Sequence, residues 1–282
     1  MKRAFLGLAV FLLFISADAQ FNYQPGCLII IGGGSIPDTL YTIFEIKIGG
    51  KDQPIVYIPT ATRDEPWIEQ GKHLLKFSDR GFTNLQTVHT RKREETDNSA
   101  MLQQIKNAKG VFLGGGDQEI LADIYGNTAI HNELIGLLKR GGVIMGTSAG
   151  ATIMGSLLIG GDHRKSPHTP TTFKSGFAFM QRTAIDQHVL VRNRQFDLIP
   201  VIEQYPDHLG IALDEATAAI VEGDSIGVAG NSYLLIFDPA AWEQQKKEWG
   251  RVFKPFTLLG AGQVYKSKMN IWNKTSAIRS DE

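Results

Sequence analysis

The 282-residue chain has a single cysteine, Cys27. It can form no intramolecular disulfide and no thiolate-rich metal cluster. Cys27 opens the apolar run Cys27-Leu28-Ile29-Ile30-Ile31, where a thiol serves as a small core residue rather than as a nucleophile. Net charge is lacking too, because 29 basic side chains are matched by 29 acidic ones. No global field draws the chain to nucleic acid or to an anionic membrane. Internal repeats and low-complexity tracts are missing, and past the first residues no apolar run is long enough to cross a bilayer. The exception is the start. Lys2 and Arg3 precede an apolar stretch over residues 4–15, and Ala17-Asp18-Ala19 supplies a small-x-small site before Gln20. That layout is a cleavable signal peptide. Residues 1–19 are therefore expected to be removed, leaving residues 20–282 as one secreted or periplasmic domain with no membrane attachment.

What the chain does contain is an alternation of short apolar runs and helical periods. Strands are expected over 27–31, 54–59, 84–88, 110–113 and 143–145. Helices are expected between them, over 40–48, 67–80, 99–108 and 132–139. Runs apolar on both faces suit strands covered by helices on both sides, so the fold class is α/β, a mostly parallel doubly wound sheet with flanking helices. Beyond residue 155 the pattern loosens. A polar loop over 160–172 carries His163 and His168, a helix is expected over 192–203, and strands at 209–213 and 218–221 read as a pair. With further strands at 225–229, 233–237 and 258–265, they suggest a hairpin extension of the sheet. Ligands of doubly wound sheets bind beyond the carboxyl ends of the strands. Three glycine-bearing turns lie at such ends, at 32–34, 114–116 and 146–150. The first, Gly32-Gly33-Gly34-Ser35, lacks G-x-G-x-x-G spacing and is not read as a nucleotide loop.

The third turn organises the chain. Gly146-Thr147-Ser148-Ala149-Gly150 follows a buried strand and precedes a helix-compatible run, which is the context a G-x-S-x-G nucleophile elbow requires. The serine projects from a tight turn, and residues two before and two after it crowd the backbone enough to demand glycine. A serine nucleophile needs a base and oxyanion donors. His188, in Asp186-Gln187-His188 with Arg192 and Arg194 close behind, is the best base among seven histidines, ahead of His163 and His168. The amide of Ala149, and the bare backbone of Gly114-Gly115-Gly116, are candidate oxyanion donors.

Taken together, Leu113-Gly114-Gly115-Gly116-Asp117-Gln118, Gly146-Thr147-Ser148-Ala149-Gly150-Ala151 and Asp186-Gln187-His188 with the arginines that follow resemble the cyanophycinases. These belong to a serine peptidase family that also contains aspartyl dipeptidase, with a fold like the class I glutamine amidotransferases. The resemblance spans residues 27–237 and implies hydrolysis of an amide bond next to an aspartyl residue. In cyanophycin, arginine is joined through its α-amino group to the β-carboxyl of a polyaspartate backbone, and the product is β-Asp-Arg. The resemblance further implies Ser148 as nucleophile, His188 as base, Gly115 and Ala149 as oxyanion donors, and Gln118, Asp186, Gln187, Arg192 and Arg194 as the substrate pocket. The triad acid of the family follows the serine, which points to Asp162. No metal or cofactor is implied. Asp197 stands where a further arginine is expected. Two rivals remain open on the sequence: an aspartyl or isoaspartyl dipeptidase, and a non-catalytic binding protein on the same scaffold. The oligomeric state is open as well, a homodimer among the options.

Overall fold

The computed structural model describes residues 26–159, 173–269 and 271–272. The leader over 1–19 and the polar loop over 160–172, with Asp162, His163 and His168, lie outside the described residues.

Among the described residues, fourteen strands form two sheets. In chain order they are β1 (Cys27–Ile31), β2 (Ile55–Ile58), β3 (Leu85–Thr87), β4 (Gly110–Leu113), β5 (Val143–Thr147), β6 (Leu157–Ile159), β7 (Phe173–Ser175), β8 (Thr183–Gln187), β9 (Leu209–Leu213), β10 (Thr217–Glu222), β11 (Ser225–Gly230), β12 (Leu234–Phe237), β13 (Thr257–Leu259) and β14 (Val264–Lys266). The first sheet runs β14-β11-β10-β1-β5-β4-β2-β3. Its half from β1 to β3 is parallel, while β10, β11 and β14 add on antiparallel. The second sheet runs β13-β12-β9-β8-β6-β7, parallel through β6, β8 and β9.

The α/β class with a parallel core is thus present, but the strands are divided between two sheets. The expected pairing of 209–213 with 218–221 does not occur. β9 pairs with β8 and β12, whereas β10 pairs with β1 and β11. The cause is burial. In β1, Leu28 and Ile30 point into one apolar cluster and Cys27, Ile29 and Ile31 into another. Alternate residues of β2, β4 and β5 divide in the same way, as period-two geometry requires. The first cluster also takes Ile185 of β8, Leu209, Ile211 and Leu213 of β9, and Leu234 and Ile236 of β12, so it fills the space between the sheets. A continuous pair of strands 209–221 would leave one of these faces uncovered, at about 1.5–3 kcal/mol for each large side chain exposed.

Two expected helices are shorter than their patterns. The helical stretch over 67–80 is broken at Gly71 (φ +67), giving helices Glu65–Glu69 and Leu75–Ser78. The stretch over 192–203 begins as turns, and its helix runs Leu198–Gln204. Asp214 explains the first part: its Oδ1 accepts the backbone N–H groups of Leu190 (3.1 Å) and Val191 (3.0 Å), which holds that segment as a turn against the end of β9.

Candidate active site

β5 delivers Ser148 to the carboxyl end of the first sheet. The serine adopts φ 53, ψ −112 and is followed at once by the short helix Ala149–Thr152. A non-glycine residue in this region carries roughly 1–3 kcal/mol of backbone strain and persists only where its surroundings impose it. They do so here through close packing. A methyl group on Gly146 would lie 2.3 Å from the Gly150 carbonyl oxygen, and one on Gly150 would lie 2.2 Å from that of Leu113. Both motif glycines are therefore required by backbone approach, and the bend turns the serine hydroxyl outward.

β8 ends in the second sheet at Gln187, and His188 follows with φ 56. Its backbone N–H donates to the Gly32 carbonyl (2.9 Å), so the turn after β1 holds the histidine in place across the gap between the sheets. The ring rests on that same turn, where a methyl group on Gly33 would meet its Cε1 at 2.1 Å. Gly33 thus leaves room for the imidazole, and Gly34 leaves room for Glu215, whose Oε2 an added methyl would meet at 2.6 Å. The imidazole Nε2 lies 3.0 Å from Ser148 Oγ. Behind it, Nδ1 lies 2.5 Å from Glu215 Oε1. A carboxylate at Nδ1 holds the proton there, leaving Nε2 to accept from the serine.

Burial pulls the His188 pKa below the ordinary histidine range, opposed by its hydrogen bond to Glu215 and reinforced by the Arg192 guanidinium. Burial and the Arg192 charge both favour the neutral imidazole, the form a general base requires.

Glu215 is the residue sequence reasoning missed. It lies two positions beyond β9, and β8 and β9 are adjacent parallel strands in the register Gln187↔Leu213, which sets the residues after both strands side by side. A strand 209–213 ended by the acidic pair Asp214-Glu215 was visible in the sequence. Its pairing with β8 was not. Asp162, the expected acid, falls outside the described residues.

The other expected residues divide. Gln187 Oε1 is 3.4 Å from Ser148 Oγ. Gly115 packs on the serine, where an added methyl would meet Ser148 Cβ at 3.4 Å. Neither the Gly115 nor the Ala149 amide has an acceptor among the described residues, which suits donors awaiting an oxyanion. Asp186 is buried, and its Oδ1 accepts the Gln187 N–H (2.9 Å). Arg192 reaches the site through its field on His188, and its backbone N–H donates to the His188 carbonyl (3.0 Å). Gln118 is buried with its amide donating to the Ile159 carbonyl (3.0 Å), and Arg194 belongs to the turn after β8, its N–H donating to Val189. Among the described residues, Ser148 Oγ has hydrogen bonds with Gln187 and His188 and none with either of these two. Asp197 is buried at the start of helix Leu198–Gln204. The remaining described histidines have other work. His131 bonds the Phe177 carbonyl, His73 bonds Thr87, His89 bridges Thr60 and Glu65, and His208 meets Asp207.

A cleft of about 360 Å³ opens from Ser148, lined by Thr147, Gly115 and Gly34 near the serine and by Tyr57, Trp67, Lys76, Thr62 and Asp64 beyond. It lies past the carboxyl ends of β1, β2, β4 and β5, where doubly wound sheets place ligands. Among the described residues no three His, Cys, Asp or Glu side chains are grouped as metal ligands, and no helix is long and apolar enough to cross a membrane.

The chain is similar to known proteins. Residues 28–229 match the model of peptidase family S51. The cyanophycinase of Trichormus variabilis is 34% identical over 221 residues, covering 75% of this chain and 73% of the relative. That of Synechococcus elongatus is 30% identical over 227 residues, covering 78% and 70%. The crystal structure of a peptidase from an acI-B1 actinobacterium superposes with a TM-score of 0.68 at 24% identity, covering 87% of this chain and 98% of that one.

Proposed function

Since the chain belongs to peptidase family S51, we propose that it is a cyanophycinase-type serine peptidase that cuts the polyaspartate backbone of cyanophycin and releases β-Asp-Arg through a serine acyl-enzyme. The observation that carries this reading is the hydrogen-bonded line Ser148 Oγ, His188 Nε2, His188 Nδ1, Glu215 Oε1, with steps of 3.0 and 2.5 Å. Ser148 Oγ attacks the scissile carbonyl carbon while His188 Nε2 takes its proton. The carbonyl oxygen becomes an oxyanion held by the amides of Gly115 and Ala149. The C–N bond then breaks, and the imidazolium returns its proton to the leaving amine. Water, deprotonated by His188, attacks the ester, and the carboxylic acid leaves as Ser148 regains its proton. Glu215 keeps the imidazole in the required tautomer and stabilises its charged form.

The test is product analysis. Incubation with purified cyanophycin is expected to release β-Asp-Arg. Inertness toward the polymer, with turnover of short Asp-X or isoaspartyl peptides, would replace this reading by the dipeptidase. The buried Asp197, standing where a polymer-binding arginine is expected, is the feature that favours that second reading.

The base must be uncharged to act. Burial is the leading cause of the downward shift at His188, so the neutral form persists to lower pH than for a free imidazole, whose pKa is about 6.5. The acid limb of kcat/KM is accordingly expected below that value. A pH–rate profile checks this, and an acid limb above about 6.5 contradicts it.

A further inference from the structure

We propose that Lys76 forms a carboxylate-binding subsite on the wall of the cleft, so that the enzyme selects substrates with a free carboxylate near the scissile bond; for a β-aspartyl-arginyl unit this is the arginine α-carboxylate. The proposal rests on the acyl-transfer reading above and names what that site recognises.

Lys76 sits on the short helix Leu75–Ser78 that follows the break at Gly71. Its ammonium is enclosed by three aromatic rings, at 5.3 Å from the centroid of Phe112, 5.4 Å from Tyr57 and 5.8 Å from Trp67. Rings hold a cation by their faces but leave its N–H groups without acceptors. No carboxylate, carbonyl or hydroxyl accepts from this ammonium among the described residues, although the more exposed Lys47 has an acidic partner in Glu222. Burial, and secondarily the positive charge of Arg80, pull the Lys76 pKa down, so an incoming anion would favour its charged form.

Lys76 shares its cleft with Ser148. The two are joined by packed groups. Tyr57 lies against Gly114, where an added methyl would be 3.0 Å from Tyr57 Cε2, and Gly115 lies against Ser148. On the same wall, Thr147 Oγ1 is buried without a hydrogen-bond partner among the described residues. A cation lacking a counter-ion and a hydroxyl lacking a partner, both lining one cleft beside a nucleophile, are groups arranged for a polar ligand. Asp64 at the exposed rim keeps the mouth from being uniformly positive and suits a substrate that carries both a guanidinium and a carboxylate.

The probes are N-acetyl-β-aspartyl-arginine with its aspartyl α-carboxyl blocked as the amide, and the same compound with the arginine carboxyl amidated as well. Their binding to the wild-type protein and to Lys76→Met is measured by calorimetry. Methionine keeps most of the apolar stem and removes the charge, so the packing along the rings is largely preserved. The acid is expected to bind the variant about 10- to 100-fold more weakly than the wild type, the scale of a lost charge-assisted hydrogen bond. The amide should bind both proteins equally weakly, and Lys76→Arg should recover part of the difference. Labelling of the wild-type Ser148 by a fluorophosphonate checks the acyl-transfer reading separately. Equal binding of acid and amide to the wild type, no binding of either, or an equal loss of both in Lys76→Met overturns the subsite. Failure of the acyl-transfer reading looks different, since the serine of the wild type would then not label, whatever the probes do.

Discussion

Ser148→Ala is expected to lower kcat by on the order of 10⁴-fold or more while leaving the thermal unfolding of the protein nearly unchanged. The two halves of that expectation have separate origins. On the proposed mechanism the Ser148 hydroxyl forms the ester, and its 3.0 Å contact with His188 is the first step of the proton path. The fold, by contrast, does not depend on it. The unusual backbone at residue 148 is imposed by the close approach of Gly146 to Gly150 and of Gly150 to Leu113. Alanine suffers the same φ and keeps the same bend. Release of β-Asp-Arg under single-turnover conditions, with a melting curve as control, is the measurement. Turnover retained within about tenfold would remove Ser148 from the mechanism and require a different nucleophile.

Glu215→Gln should be the second-largest loss, about 10²- to 10⁴-fold in kcat with KM little changed. Glutamine has the shape of glutamate, so the packing against Gly34 survives. What changes is the proton. An amide group can donate to Nδ1, which moves the imidazole proton to Nε2 and leaves nothing there to accept from Ser148. It also withdraws the negative charge that stabilises the imidazolium in the transition state. The comparison that decides the assignment is Asp162→Asn, expected to stay within a few fold of wild type. The reverse pattern, with Asp162 essential and Glu215 dispensable, would return the acid to the loop that follows the elbow. Measuring kcat and the rate of fluorophosphonate labelling for both variants separates loss of nucleophile activation from loss of substrate binding.

Much of the site can be read from local sequence because its parts are locally constrained. The elbow needs glycine at 146 and 150, since those positions meet neighbouring backbone at 2.2–2.3 Å, and such a demand leaves a mark in five consecutive residues. His188 stands at the end of a legible strand. The parallel half of the first sheet is equally plain, because β1, β2, β4 and β5 are covered on both faces and read as unbroken apolar runs. Where reading failed, a distant partner decided. The helical period over 67–80 was real, but Gly71 could turn left-handed and divided it, which is why Lys76 can lie across Tyr57 and Phe112. The strands at 209–213 and 217–222 are adjacent in sequence and so looked paired. The shared apolar cluster drew them into different sheets.

The amino-acid sequence by itself thus determined the α/β class, the elbow that carries Ser148 and the strand end that carries His188, all consequences of backbone sterics and side-chain periodicity within short windows. Only the tertiary structure decided which carboxylate stands behind the imidazole and which cation faces the cleft. Glu215 reaches His188 through strand neighbours 26 residues apart, Gln187 and Leu213, and Lys76 meets its three rings from three separate elements. Such contacts are set by which strands lie side by side, and strand order follows from covering apolar faces across the whole molecule rather than from any local pattern.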